Sequence, residues 1–131
     1  MPIVTELIDS EAVVVDSSGW LEYFTADTKA DLFEAYLRAP LLFVPVIVLY
    51  EVRKILLLRH TKAVADSFVS EALRHTIVPV DQEIALSAAE LSIQHKLAMA
   101  DALVYTIANK LGAKLVTSDG GFRELPGVTL L

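Results

Sequence analysis

The sequence predicts an α/β fold, a sandwich in which a mostly parallel central sheet is flanked by helices. Two observations lead there. Short β-branched or apolar runs alternate along the whole chain with segments of helical periodicity, so each strand is joined to the next by a crossover rather than a hairpin. The chain has 131 residues, 54% of them hydrophobic, and shows no repeat, low-complexity tract or Gly/Ser linker, which suits one domain with a proper core.

The elements follow in order. Ala12 to Val15 is a short β-branched run and reads as a buried parallel strand. Asp16-Ser17-Ser18-Gly19 ends it and offers capping side chains to a short helix through Trp20, Leu21 and Phe24. Asp27 and Thr28 can start a second helix, with Leu32, Phe33, Tyr36 and Leu37 at helical spacing and Pro40 closing it. Leu41 to Val44 is the next strand, and Pro45 to about Arg59 a helix with proline in its first turn. Thr61 to Arg74 is a helix with Val64, Phe68 and Leu73 on one side, followed by a strand over Thr76 to Val80. Asp81 caps a helix containing Ile84, Ala85, Ala88 and Leu91. Ala98 to Leu111 is the strongest helical stretch, and Gly112 is placed as its stop. Lys114 to Thr117 and Val128 to Leu131 complete the strands.

Composition narrows the function. There are no cysteines, which removes disulfides, thiolate nucleophiles and cysteine-containing zinc sites. The first residues are acidic and lack a basic segment and a long apolar one, so a secretory signal is not expected. The longest apolar run, Leu41 to Tyr50, is broken by Pro45 and is too short to span a membrane. A cytoplasmic location with no membrane association is the expectation. The net charge of −6 argues mildly against holding nucleic acid by bulk charge, but metal ions can supply positive charge at an acidic site. One window runs against the balance: Val52 to Ala65 carries Arg53, Lys54, Arg59, His60 and Lys62 and no acid, either a phosphate-facing strip or the solvated face of two helices. The apolar content exceeds what typical soluble domains carry, which suggests an interface with a second copy or a peptide.

In an open parallel sheet, ligands bind beyond the carboxyl ends of the strands. Asp16 falls there, directly after the first strand; alternatively it caps the following helix, although Ser17 or Ser18 could do so instead. Glu51 lies one turn from Ile47, Val48 and Ile55, where a carboxylate is costly unless paired, protonated or metal-bound; alternatively it belongs to a polar edge with Arg53 and Lys54. Asp101 lies at the start of the strongest helix, where an acid is favoured by the dipole and a plain structural cap is the alternative. Asp119 follows the strand ending at Thr117, and Asp-Gly-Gly is also a common turn. Four acids that one sheet could gather would need a cation to stay ionised together. Oxygen ligands suit Mg²⁺ or Mn²⁺, which bind phosphates and activate water for attack on a phosphodiester.

The ordered segments VVVDSSGWL (13–21), VPVIVLYEVRKIL (44–56), LAMADALVYTIANKLG (97–112) and LVTSDGGF (115–122) resemble the PIN domain, and within it the VapC toxins of toxin–antitoxin pairs. The resemblance covers about Val13 to Leu131, leaving roughly residues 1–12 as an N-terminal extension of a single domain. It implies a PIN-like three-layer sandwich and an Mg²⁺- or Mn²⁺-dependent endoribonuclease. The carried-over metal ligands are Asp16, Glu51, Asp101 and Asp119. Thr117 would orient a carboxylate or a water, and Ser17 would be a lesser polar neighbour. Water activated by the metal would cut RNA with no covalent nucleophile. A VapB-like antitoxin and a homodimer are also implied. One position departs from the pattern: many relatives carry a second acid where Gly121 precedes Phe122, so one-metal chemistry is expected.

Two other functions fit the same residues: a PIN nuclease of RNA processing outside toxin–antitoxin systems, and a non-catalytic module whose acidic pocket receives a partner's arginine. A phospho-acceptor receiver domain fits poorly, because Lys114 stands at the start of its strand rather than beyond the end. His95 reads as a loop residue, and His60 and His75 as helix-end residues. No His-x-x-His, His-Glu-x-x-His or glycine-rich phosphate loop occurs. Trp20 reads as core or interface, and Glu22 as a solvated position or part of the pocket rim.

Overall fold

The computed structural model describes residues 11–131. The N-terminal extension expected over residues 1–12 therefore falls almost wholly outside the described residues. The element order is β1 (Ala12–Val15), α1 (Ser17–Phe24), α2 (Ala30–Leu37), β2 (Leu41–Pro45), α3 (Val46–Arg59), α4 (Lys62–Ala72), β3 (Thr76–Val78), α5 (Gln82–His95), α6 (Met99–Lys110), β4 (Lys114–Thr117), a 3₁₀ turn (Gly120–Phe122) and β5 (Val128–Leu130).

The five strands form one sheet in the order β3-β2-β1-β4-β5, and every neighbouring pair is parallel. This is the α/β architecture expected from the alternation of elements, and its sheet is wholly parallel. β1 lies at the centre, with Val14 opposite Phe43 of β2 on one side and Leu115 of β4 on the other. The chain leaves β1 toward β2 and later returns to the opposite side as β4. In open parallel sheets such a reversal marks where ligands bind, outside the carboxyl ends of the two strands, here β1 and β4.

Val13, Val14 and Val15 are buried whichever way they point, as central strands of a covered sheet require. Trp20 of α1 is fully buried between Phe24, at 6.2 Å, and Phe68 of α4, at 5.3 Å edge to face, so it is core. The packing of α1 on α3 and β4, and of α3 on α6, carries the core around to the crevice.

Several boundaries differ from the sequence expectation. Asp27 and Thr28 do not start α2. The chain leaves α1 through Ala26 in the left-handed region (φ 52°), Asp27 turns its carboxylate onto the Thr28 amide, and the helix begins at Ala30 without a side-chain cap. Glu22, expected at a solvated or rim position, instead accepts a hydrogen bond from the Lys29 amide at 3.2 Å. In α4 the buried line is Ala65, Phe68 and Ala72; Val64 packs at its edge and Leu73 is exposed, because 65, 68 and 72 hold the three-four spacing. β3 stops at Val78, just before Pro79, which has no amide proton for a ladder. His95 ends α5 rather than lying in a loop, and its ring meets Tyr105 edge to face at 5.9 Å. Asp81 caps α5 and Gly112 (φ 62°) follows the end of α6, both as the sequence suggested. No helix among the described residues is long and apolar enough to cross a membrane.

Candidate active site

The residues at the carboxyl edge of β1 and β4 build the site from hydroxyls and carboxylates. Asp16 follows β1 directly, is 6% exposed, and anchors its backbone amide on Val116 O of β4 at 3.2 Å. It also caps α1, its Oδ1 accepting from the Gly19 amide at 3.3 Å. The sequence leaves the cap open to Asp16, Ser17 or Ser18. The structure gives the cap to Asp16 because the two serines are turned to other acceptors.

Ser17 Oγ donates to Glu51 Oε1 of α3 at 2.7 Å. Ser18 Oγ donates to Asp16 Oδ1 at 2.5 Å and accepts from the Ser118 amide at 3.1 Å. Thr117 Oγ1, fully buried at the end of β4, donates to Asp16 Oδ2 at 2.6 Å and accepts from the Asp119 amide at 2.9 Å. Asp119 is exposed and accepts from the Gly121 amide at 2.8 Å, which closes the 3₁₀ turn.

Glu51 is half-buried, and neither cation suggested as its polar-edge company pairs with it. Arg53 and Lys62 both bind Asp66, at 3.0 and 2.8 Å, and Lys54 lies 5.6 Å above the Tyr50 ring. The basic window is thus partly neutralised by an acid one residue beyond its end. Asp101 lies in the first turn of α6 and caps nothing: the N-cap is Ala98, with no side-chain hydrogen bond.

Electrostatics place the four acids in one field. Burial raises the Asp101 pKa, and the charges of Asp119, Asp16 and Glu51 raise it further, to about 6. Burial likewise pushes Asp16 up; the Ser18, Thr117 and Gly19 hydrogen bonds pull it back down, and the Asp119 charge adds to the rise. Among the described residues no lysine, arginine or histidine forms an ion pair with any of the four.

The donor set is all oxygen and, among the described residues, no cation pairs with it, which fits a hard divalent cation. As they stand, no three His, Asp or Glu side chains among the described residues are close enough to grip a metal together, so the acids interact through charge rather than contact. Ser18 is the polar residue that the sequence reading did not select. No local signal marks it, because its partners Thr117 and Ser118 meet it only through the pairing of β1 with β4.

The PIN domain family model matches residues 13–128. The chain belongs to the PIN domain family. No curated protein matches the sequence. Solved structures share the PIN fold. A toxin–antitoxin complex from Klebsiella pneumoniae superposes with a TM-score of 0.78 at 20% identity, covering 90% of this chain and 96% of the other. VapC20 from Mycobacterium tuberculosis, described as a toxin cleaving the sarcin-ricin loop, superposes at 0.76 with 19% identity, covering 89% and 97%. VapBC2 from Rickettsia felis, solved with a promoter DNA fragment, superposes at 0.71 with 18% identity, covering 92% and 97%. At these identities the likeness is one of fold. The acidic site of this PIN domain therefore has to be read from its own residues.

Proposed function

We propose that this chain is a metal-dependent endoribonuclease and the toxin of a VapBC-type pair. The observation that carries the proposal is the grouping of four acids that act on one another's charge. Asp16, Glu51, Asp101 and Asp119, brought by four separate segments to one field, lack any ion-paired cation among the described residues. Membership of the PIN family and the toxin–antitoxin complexes among its structural neighbours support the same reading.

In this reading Asp16, Glu51, Asp101 and Asp119 would close on Mg²⁺ or Mn²⁺ when it binds, and the ion would supply positive charge for a phosphodiester and for activating water. The protein's own contribution is placement. Thr117 Oγ1 holds Asp16 Oδ2, and Ser17 Oγ holds Glu51 Oε1, so two acids are pre-set before any ligand arrives. Asp101, with its raised pKa, is the acid that most needs a cation to stay ionised at neutral pH. Gly121 stands where many relatives have a further acid, which favours a single cation. A VapB-like antitoxin, a homodimer and a single domain spanning the chain belong to the same proposal.

The test is cleavage of a structured RNA set, including tRNAs, by the purified chain with Mg²⁺ or Mn²⁺ and with EDTA. Cutting is expected only with metal and is lost in Asp16→Asn and Asp101→Asn. Cutting that survives both substitutions removes the acidic site from the reaction. No cutting with any metal, together with tight binding of a partner protein that EDTA leaves unchanged, makes the chain a non-catalytic PIN module. Nuclease activity without growth arrest on expression makes it a processing enzyme rather than a toxin.

A further inference from the structure

We propose that Ser18 is a positioning residue of the acidic site, the counterpart of Thr117 on the other oxygen of Asp16. The inference rests on the nuclease reading, since it concerns how Asp16 is presented to a cation. Each hydroxyl has one proton to give. Ser18 receives the Ser118 amide and passes its own proton to Asp16 Oδ1; Thr117 receives the Asp119 amide and passes its own proton to Asp16 Oδ2. Two consecutive amides at the end of β4 are thereby relayed, through one hydroxyl each, to the two oxygens of one carboxylate. The 3.3 Å approach of Ser18 Oγ to Thr117 Oγ1 is a contact between the two relays, because both protons are already committed.

The consequence is orientation. The last torsion of an aspartate is broad, so a buried carboxylate with one donor could rotate and carry its lone pairs with it. Donors on both oxygens fix its plane. Among the described residues Oδ1 has two donors, Ser18 Oγ and the Gly19 amide, whereas Oδ2 has one, Thr117 Oγ1. Oδ2 is therefore the oxygen with acceptor capacity to spare, and Ser18 is what keeps Oδ1 occupied and the carboxylate in that setting. Ser18 also ties the first turn of α1 to the end of β4, so the Asp119 loop is referenced to the same carboxylate.

The test measures Mn²⁺ binding to the full chain without substrate, from the spin-resonance signal of free Mn²⁺, for the wild type, Ser18→Ala and Ser18→Thr. Ser18→Ala is expected to bind Mn²⁺ about tenfold more weakly, the usual effect of losing a group that orients a ligand. Ser18→Thr, which restores the hydroxyl, is expected to return most of that affinity. A purely structural role would lower the melting temperature in EDTA but leave the Mn²⁺ affinity of the folded protein unchanged. Should Ser18→Ala fail to fold, Ser18→Cys keeps the bulk with a weak donor and is expected to show the same loss. Unchanged Mn²⁺ affinity in the alanine or cysteine variant overturns the proposal, as does an equal loss in Ser18→Thr. A wild-type chain that takes up no Mn²⁺ at all overturns the nuclease reading, and this inference with it.

Discussion

Asp101 combines burial with the charges of three neighbouring acids, and its raised pKa has a consequence for stability that can be given a sign. Below about pH 4 the carboxyl is protonated in both the folded and the unfolded chain and contributes nothing. Between about pH 4 and 6 the folded chain keeps a proton that the unfolded chain has released, so stability falls as pH rises. Above about pH 6 the whole penalty is present. Asp101→Asn is therefore expected to stabilise the cation-free protein at pH 7. The gain is about 1 kcal/mol, once the shift is discounted for the solvent screening of a half-exposed group. Thermal melts in EDTA at pH 4.5 and pH 7.5 check this. The variant should gain more at the higher pH, and a variant less stable than wild type at both would remove the charge argument. Mn²⁺ works in the opposite direction. It should stabilise the wild type at pH 7.5 and lose that effect as the pH falls through about 6, where Asp101 takes up its proton.

Helix α1 is the element that turns sequence into site, and its position depends on Gly19. A Cβ there would run into Val15 Cγ1 and the Phe33 ring, so the helix can lie this close to β1 and α2 only with glycine at that position. Gly19→Ala is expected to destabilise the chain by about 1–3 kcal/mol, the cost of forcing bulk into a packed core. It should also reduce cleavage more than that stability loss explains, because Ser17 and Ser18 move with the helix. Chemical denaturation beside an activity assay well below the melting temperature separates the two effects, and an active Gly19→Ala enzyme would show that α1 tolerates displacement. Legibility in the sequence varied by element for physical reasons. The β-branched run 12–15 and the glycine after α6 each act locally, and the structure places those elements where they were expected; Pro45, expected in the first turn of α3, instead ends β2 with an extended backbone and the helix starts at Val46. Asp16, Asp101 and Asp119 were marked by strand ends and a helix start, which are equally local. The start of α2 was not readable, since the left-handed turn at Ala26 and the Glu22 bond to the Lys29 amide depend on how α1 ends. Nor was Ser18, because its partners Thr117 and Ser118 lie about a hundred residues along the chain and meet it only through the pairing of β1 with β4.

At the scale of the whole molecule, surface composition and the folded core together leave apolar side chains without a role. Leu58 at the end of α3 is 73% exposed and Ile93 near the end of α5 is 82% exposed, while Tyr50, Leu57, Leu86 and Met99 are also open to solvent. None of them is needed by the core, which is already closed by Trp20, Phe33, Phe68 and Phe122. Single exposed apolar residues need no explanation, but several on the same helices are what an isologous contact between two copies would bury. The proposed homodimer accounts for them: the purified chain should sediment as a dimer at micromolar concentration. Leu58→Asp and Ile93→Asp place a charge where the single chain is already solvated, so neither should lower the melting temperature of the monomer. If both side chains face the second copy, each variant should sediment as a monomer and keep a normal fold by circular dichroism. A wild type that is monomeric throughout the micromolar range would remove the homodimer from the proposal, and the exposed leucines and isoleucine would then be free for another partner.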